Sequence, residues 1–155
     1  MDIYVTNSIA AMPQLKLTNQ VCHALYSATN ALIRAYRPLL EPLDLTYPQY
    51  LVMLALWEED GVPIRHLVDH THLDSGTLTP ILKRLEQKGL LIRGRADTDE
   101  RRKAIRLTEN GWILRHQAAD VPAKLICETE MTADQALELK ALAETLYLQL
   151  SLPKA

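Results

Sequence analysis

The sequence predicts a mainly α-helical (α+β) fold in which a single β-hairpin interrupts a series of helices. Three observations carry this prediction. Apolar residues recur at helical spacing near both ends of the 155-residue chain, two short helical segments adjoin in its middle, and a basic strand–turn–strand segment follows them. A chain of this length suits one domain, or one domain with a dimerisation arm.

The first predicted helix covers residues 15–39. Two sets of residues recur along it every seven positions and form one stripe: Thr18, Leu25, Leu32 and Leu39, and Leu15, Cys22, Thr29 and Tyr36. Pro38 and Pro42 are expected to end this helix. In "LTYPQYLVMLALWEE", Thr46 and Gln49 fit a capping box and Pro48 falls in the first turn, so a second helix is predicted there.

The segment "GVPIRHLVDHTHLDSGTLTPILKRLEQKGLL" predicts two short helices, at about 64–70 and 74–89, joined by a tight turn. Strands are predicted at 90–95 and 103–107, on either side of a charged tip. A short helix pair followed by a basic hairpin is the arrangement of a winged helix-turn-helix.

Two further helices are predicted after the hairpin. Thr108 caps the first, which runs towards Leu125 and is kinked or broken near Pro122. Thr132 and Gln135 form a capping box for the last helix. Its apolar face consists of Leu139, Leu142, Leu146 and Leu150. The expected domains are an N-terminal dimerisation helix (1–45), a winged helix-turn-helix (46–111) and C-terminal dimerisation helices (112–155).

The net charge of −2 hides an uneven distribution. Residues 83–106 contain nine Lys or Arg and four Asp or Glu, so this segment carries +5 and the rest of the chain −7. A basic patch on an acidic protein is expected to bind a polyanion, although a solvated charged turn has the same composition. No signal peptide or run of about 20 apolar residues is visible, so a cytoplasmic protein without a membrane partner is expected.

The second helix of the pair is expected to read double-stranded DNA. Its apolar residues fall within a narrow arc, and small hydroxyls near its start allow close approach to phosphates and base edges. The expected contacts are Ser75, Thr77, Thr79, Lys83 and Arg84 in the helix, and Arg93, Arg95, Asp99, Arg101 and Arg102 in the hairpin. At the hairpin tip, Asp99 is expected to fix the guanidinium of Arg101 for insertion into a narrow minor groove.

The segment "LDSGTLTPILKRLEQKGLLIRGRADTDERRKAIRLTENG" resembles the MarR family of winged-helix repressors. The wing of that family carries an Asp-x-Arg core followed by Leu-Thr-x-x-Gly, and the matching positions here are Asp99, Arg101, Leu107, Thr108 and Gly111. The topology matches over nearly the whole chain. This resemblance implies a homodimer with interleaved end helices, in which each subunit presents a recognition helix and a wing to a palindromic operator.

Within that family, the first helix resembles the organic hydroperoxide repressors called OhrR, which carry a reactive cysteine followed by three tyrosines. Tyr26, Tyr36 and Tyr47 follow Cys22 by 4, 14 and 25 residues, as in that subgroup. Fourteen helical residues span about 21 Å, so Cys22 and Tyr36 cannot touch within one helix. The resemblance implies that tyrosines of one subunit hydrogen-bond the cysteine of the other. Phenolic donors favour the thiolate, which an organic hydroperoxide oxidises.

The second cysteine, Cys127, makes the chain similar to the two-cysteine members of the subgroup. In these, the first thiolate becomes a sulfenic acid, a second thiol converts it into a disulfide, and DNA is released. The residues leave open whether a Cys22–Cys127 bridge runs within or between chains; the resemblance favours Cys127 of the other subunit. A static disulfide is the least expected state in a reducing cytoplasm.

Other interpretations compete with this one. Cys22 on an apolar stripe would otherwise be a buried core residue. A MarR-like repressor released by a small phenolic or aromatic acid would need a pocket between the dimer arm and the winged domain. A thiol peroxidase would not need a basic wing, so an enzyme is not expected. His66, His70 and His72 suggest a metal, but no further ligand completes a tetrahedral set, so no metal or other cofactor is expected.

Overall fold

The computed structural model describes residues 12–96 and 99–153, with side chains outside 95–103. In these ranges the helices are α1 (Val21–Leu40), α2 (Tyr47–Glu58), α3 (Ile64–Thr71), α4 (Ser75–Gln87), α5 (Glu109–Ala118), α6 (Val121–Cys127) and α7 (Ala133–Ser151), and the strands are β1 (Val62–Pro63), β2 (Leu91–Ala96) and β3 (Asp99–Leu107). The chain forms two compact units, Met1–Ala118 and Ala119–Ala155. The mainly helical class with a small sheet is confirmed.

Helix α1 begins later than the apolar spacing predicts. Two 3-10 turns, Pro13–Leu15 and Leu17–Asn19, precede it, and the backbone at Lys16 and Gln20 is extended. The Gln20 side-chain amide donates a hydrogen bond of 2.8 Å to the Lys16 carbonyl. Extended backbone at these two residues prevents continuous helical hydrogen bonding, although the apolar spacing continues through the turns.

The predicted end of α1 at residue 39 is confirmed to within one residue, although Pro38 itself does not stop the helix. Pro38 lies inside the helix, which continues to Leu40. A proline removes only one N–H donor, and a helix tolerates that loss near its last turn better than in its middle. Pro42 lies in the 3-10 turn Glu41–Leu43 that follows, and Asp44 then adopts a left-handed conformation with φ 53°.

Helix α2 lies at the centre of the first unit. Its predicted capping box is present: the Gln49 N–H donates to Thr46 Oγ1 (3.4 Å), and the Thr46 N–H donates to Gln49 Oε1 (3.1 Å). The helix contacts α1, α3, α4 and α5. Its buried side chains are Gln49, Tyr50, Val52, Met53, Leu56 and Trp57. Apolar burial of this extent is the main stabilising term for the unit.

Helices α3 and α4 form the predicted pair. The Asp74 carboxylate caps α4 by accepting a hydrogen bond of 2.7 Å from the Thr77 N–H. Leu78, Leu82 and Leu85 are buried, as the periodicity predicts. Gly89, with φ 73°, follows the end of the helix in a conformation that favours glycine.

The predicted hairpin is part of a three-stranded antiparallel sheet with the order β1–β3–β2. Strand β1 has only two residues, which is too short for a sequence pattern to reveal. Thr108 starts α5 as predicted, because its Oγ1 accepts a hydrogen bond of 3.1 Å from the Gly111 N–H. The Trp57 indole donates to the Gly111 carbonyl (2.9 Å) and joins α5 to α2.

The second unit contains α6 and α7. The predicted break near Pro122 is present: α5 ends at Ala118, and Pro122 lies in the first turn of α6. Thr132 and Gln135 form the predicted capping box of α7. No side chain of α7 is buried within the chain, although the helix carries Leu137, Leu139, Leu142, Leu148 and Leu150 on exposed positions.

Over residues 12–96 and 99–153, every helix is too short or too polar to cross a membrane.

Candidate functional site

Three aromatic rings from two helices meet in the first unit. Tyr36 of α1 and Tyr47 of α2 have ring centroids 4.7 Å apart. Tyr50, one turn further along α2, lies 5.8 Å from the Tyr36 ring and 6.4 Å from the Tyr47 ring. The rings are tilted by 35° to 45°, as is favourable for aromatic pairs. We refer to Tyr36, Tyr47 and Tyr50 as the tyrosine cluster.

The environment of the cluster keeps its phenols protonated. Burial raises the pKa of Tyr36 to about 12, and the neighbouring Tyr47 and Tyr50 contribute further. Burial also raises the pKa of Tyr47 and, with a smaller contribution from Tyr47, that of Tyr50. Among the described residues, none forms a hydrogen bond with the three hydroxyls. The cluster therefore offers hydrogen-bond donors at any physiological pH.

Cys22 lies at the opposite end of the same helix. It is an exposed free thiol in the first turn of α1, and not in a buried core position. The helix is continuous from Val21 to Leu40, so Cys22 and Tyr36 are separated by about 21 Å along its axis. Tyr26 is one turn from Cys22 and 69% exposed. The structure thus brings Tyr36 and Tyr47 together, but it leaves the cysteine of the same chain away from them.

Cys127 is also an exposed free thiol. It is the last residue of α6, in the second unit. An exposed thiol at a helix end is accessible for exchange with another sulfur, which a buried structural cysteine is not.

The predicted reading surface of α4 is exposed to solvent. The exposed positions are Ser75, Gly76, Thr77, Thr79, Pro80, Lys83 and Arg84. The Thr79 hydroxyl donates a hydrogen bond of 2.8 Å to the Ser75 carbonyl, so one of the predicted hydroxyls is already engaged within the helix. The first turn and one flank of α4 are therefore free to approach a ligand, while its leucines anchor the helix in the core.

Arg93, at the start of the wing, is held by α4. Its Nε and backbone N–H both donate to Glu86 Oε2, at 3.1 Å and 3.0 Å, and its Nη2 lies 3.4 Å from Glu86 Oε1. The paired guanidinium holds the pKa of Glu86 below its usual range. No sequence pattern indicates a role for Glu86, because the contact depends on how strand β2 folds back onto α4. The side chains of Arg95, Asp99, Arg101 and Arg102 lie outside those described.

Lys88 connects α2, and the turn that precedes it, to the end of α4. Its ammonium donates to Gln49 Oε1 (3.2 Å) and to the Asp44 carbonyl, and it lies 3.4 Å from the Asp44 carboxylate. The sequence gives no indication of this contact, since a lysine after a helix carries no signal of a partner 44 positions away. It borders a cavity of about 540 Å³ lined by Ile33, Arg37, Leu40, Glu41, Asp44, Leu45, Thr46, Tyr47, Pro48 and Lys88.

Two of the three histidines considered as metal ligands lie together. The rings of His66 and His70 stack with centroids 3.9 Å apart, and His66 Nε2 lies 3.3 Å from a Glu59 carboxylate oxygen. In the part of the chain that the structure describes, no group of three or more His, Cys, Asp or Glu side chains is arranged to hold a metal ion.

Comparison with known proteins gives consistent matches along most of the chain. The family model of the transcriptional regulators SarA and Rot matches residues 34–116. The organic hydroperoxide resistance transcriptional regulator of Bacillus subtilis is 42% identical over 132 residues, which cover 85% of this chain and 90% of that protein. The regulator SarZ of Staphylococcus saprophyticus is 38% identical over 80% of this chain and 85% of its own.

The most informative solved structures are those of AbfR from Staphylococcus epidermidis. Its crystal structure aligns with a TM-score of 0.73 at 33% identity, covering 92% of this chain and 100% of AbfR. Identity above 30% across nearly the full length of several relatives, together with the winged helix-turn-helix itself, establishes common descent. The chain belongs to the winged-helix transcriptional regulators of the MarR and OhrR type.

Proposed function

We propose that this protein is a homodimeric, cytoplasmic repressor that binds a palindromic operator when reduced and releases it when an organic hydroperoxide oxidises Cys22. The observation that carries the proposal is the layout of α1. An exposed thiol lies at one end and a cluster of free phenolic donors at the other, about 21 Å apart. Two α1 helices packed antiparallel about a dimer axis bring the cysteine of each chain to the tyrosines of its partner.

The chemistry proceeds in two balanced steps. The Cys22 thiolate attacks the terminal peroxide oxygen and takes up the OH group as a sulfenic acid, while the O–O bond breaks and the alkoxide leaves as an alcohol after taking a proton from water. The Cys127 thiol then attacks the sulfenic sulfur, which forms a disulfide and expels water. In this proposal Tyr36 and Tyr47 donate hydrogen bonds to the thiolate, with Tyr26 as a third candidate near the thiol. No metal or other cofactor takes part, and the protein is a regulator rather than an enzyme.

We assign the second sulfur to Cys127 of the other subunit. Solved structures of AbfR include a reduced and an overoxidized form bound to DNA, and a disulfide form. This set supports the disulfide, rather than oxidation of a single sulfur, as the event that releases the operator. A bond between the two chains would move the helices that set the spacing of the winged domains, and DNA tolerates little error in that spacing.

The dimer is assigned to both terminal regions. Helix α7 buries none of its side chains within the chain, and Leu32 and Tyr26 of α1 are exposed as well. Apolar helix faces of this size are normally covered by a partner, and a second copy provides a symmetric one. The expected organisation remains dimerisation regions at residues 1–45 and 112–155, around a DNA-binding domain at residues 46–111.

The central experiment measures operator release by an organic hydroperoxide. Cys22→Ser is expected to bind the operator like the wild type and to ignore the oxidant, because serine supplies no thiolate. Cys127→Ser is the matched variant: it should be oxidised at Cys22 at a near-normal rate but release DNA poorly. Peroxide-driven release of Cys22→Ser at the wild-type rate would remove this residue from the mechanism.

Non-reducing gels of the same peroxide-treated proteins test whether a disulfide joins the two chains. The wild type is expected to give a reductant-sensitive covalent dimer after oxidation, and both serine variants are expected to give none. An oxidised wild type that runs as a monomer would show a bridge within one chain, or none.

A second candidate function is a repressor released by a small phenolic or aromatic acid. The cavity of about 540 Å³ beside Tyr47 favours it, because apolar Ile33 and Leu40 line it together with the cation Arg37. In that case Cys22→Ser would respond to the acid as the wild type does, and hydroperoxide would have no effect on either protein.

A further inference from the structure

One ring of the tyrosine cluster has no role in the chemistry described so far. Tyr50 is 2% exposed, whereas Tyr36 and Tyr47 are only partly buried. Its ring lies within 6.4 Å of both other rings, so it supports the two outer tyrosines from the protein interior. Burial in the core does not by itself require that the Tyr50 ring contact both Tyr36 and Tyr47. This double contact therefore needs an explanation.

Tyr47 needs such support more than most helical residues do. It is the first residue of α2, and no preceding helical turn restricts its side-chain rotamer. Tyr50 is three residues further along the same helix and therefore shares its face. The capping box of Thr46 and Gln49 fixes the first turn that carries both residues. Ring packing then determines where the Tyr47 hydroxyl points.

Tyr36 comes from the other helix. Its ring contacts Tyr47 at 4.7 Å and Tyr50 at 5.8 Å, so the two rings of α2 fix it from two directions. A hydrogen bond to a thiolate depends on the direction of the donor as well as on its distance. A phenol that is free to rotate would bind the thiolate more weakly, because it would also hydrogen-bond water and would lose rotamer entropy on binding.

We propose that Tyr50 is a positioning residue for peroxide sensing. Its ring holds the Tyr36 and Tyr47 hydroxyls in the orientation from which they donate to Cys22 of the partner subunit. This inference rests on the proposed function. The ring, and not the hydroxyl, performs this role, so a phenylalanine at position 50 serves as well as the tyrosine.

The experiment compares Tyr50→Phe with Tyr50→Leu in the full-length reduced protein. The rate of Cys22 oxidation by cumene hydroperoxide is measured between pH 5 and pH 9, beside Tyr36→Phe. Tyr50→Phe is expected to keep the wild-type rate. In Tyr50→Leu the rate of Cys22 oxidation is expected to fall about tenfold at neutral pH. The midpoint of its pH–rate profile is expected to lie about one unit higher, because weaker hydrogen-bond donors leave less of the thiol as thiolate.

Loss of stability alone must be distinguished from loss of positioning. Met53 is fully buried on the same helix but is not part of the tyrosine cluster, so Met53→Ala is the matched control. Met53→Ala should be less stable than the wild type, but the midpoint of its pH–rate profile for Cys22 oxidation should not shift. Tyr50→Met, which keeps a long apolar side chain, replaces Tyr50→Leu if that variant does not fold. An unshifted midpoint in Tyr50→Leu, or equal slowing in Tyr50→Phe, would overturn the assignment.

A second readout separates this inference from the proposed function. Ultraviolet titration of the phenols should show the most basic tyrosine of the wild type near pH 12, and a lower midpoint in Tyr50→Leu than in Tyr50→Phe, which lacks the same hydroxyl but keeps the ring. If hydroperoxide does not oxidise wild-type Cys22 at all, the proposed function fails, while an altered phenol titration still reports the packing role. If both the titration and the midpoint are unchanged, Tyr50 is a core residue only.

Discussion

Tyr36 combines partial burial with close aromatic neighbours, and this sets how its phenol responds to pH. Its folded-state pKa of about 12 is higher than the ordinary value of 10.0, so folding favours the protonated form. The associated stability is fully present below pH 10 and is lost as the pH rises towards 12. We expect the free energy of unfolding of the wild type to fall over this window, measured by denaturant titration.

The matched variant is Tyr36→Phe, which keeps the ring and removes the titrating hydroxyl. It should lose less stability between pH 10 and pH 12 than the wild type does. The same loss in both proteins would mean that other groups govern the alkaline transition.

Lys83 allows a residue-scale test of the DNA surface. It is exposed on α4. If it neutralises one phosphate, Lys83→Ala should reduce the slope of log affinity against log salt by about one unit. Lys124 is a suitable control, because it is an exposed lysine of the second unit that pairs with Asp120 at 2.9 Å. An unchanged slope for Lys83→Ala would show that another face of α4 meets the DNA.

Single residues also show what the sequence can and cannot predict. The spacing of Cys22, Tyr36 and Tyr47 resembles that of the OhrR repressors, and this resemblance pointed to the two outer tyrosines, because a motif spacing is visible in the sequence alone. Tyr50 was missed, since only the fold places its ring beside a helix that lies earlier in the chain. Glu86 and Lys88 were missed for the same reason: the turn after α4 brings Arg93 to Glu86, and the packing of α2 against α4 brings Gln49 to Lys88.

At the scale of secondary-structure elements, the first turn of α5 packs closely against the residues that flank the wing. A Cβ added at Gly111 would lie 2.2 Å from the Leu90 carbonyl oxygen and 3.1 Å from the Leu107 side chain. The same residue accepts the Trp57 hydrogen bond. The packing of α5 against the base of the wing therefore needs a glycine at this position.

Gly111→Ala is expected to lower the free energy of unfolding by about 1–3 kcal/mol, because overpacking a buried site forces the backbone to shift. Thermal unfolding measures this. Gly94→Ala is the control, since its added Cβ would meet its nearest atom at 3.9 Å. A Gly111→Ala protein as stable as the wild type would mean that α5 moves away from the wing at little cost.

Elements were predicted well where local chemistry marks their ends. The capping residues Thr46, Thr108 and Thr132 start helices as predicted, and α4 starts at Ser75, one residue after the predicted position. The start of α1 was predicted wrongly, because apolar spacing continues through two 3-10 turns and does not distinguish them from a helix. Strand β1 escaped prediction because its pairing with β3 comes from tertiary structure.

For the whole molecule, the exposed leucines of α7 predict an oligomer, and the oligomeric state tests the proposed sensing mechanism. A homodimer is expected by sedimentation at micromolar concentration. Leu142→Glu should weaken it strongly, since a charge would be buried without a partner at the interface. Lys140→Gln on the same helix removes only an exposed ion pair with Glu144 and should leave the dimer intact. A monomeric wild type would contradict the dimer and the sensing mechanism together.

The length of α1 has a consequence for mixed dimers. If each sensor takes its sulfur from one chain and its phenols from the other, two defective chains can complement each other within one dimer. A Cys22→Ser chain still offers normal tyrosines, and a chain with Tyr36→Phe and Tyr47→Phe still offers a normal cysteine. Their mixed dimer contains one complete sensor and one with neither part. A mixed dimer purified through two different tags should therefore release the operator on peroxide treatment, which the Cys22→Ser homodimer does not, whereas a sensor built within one chain would leave the mixed dimer unresponsive.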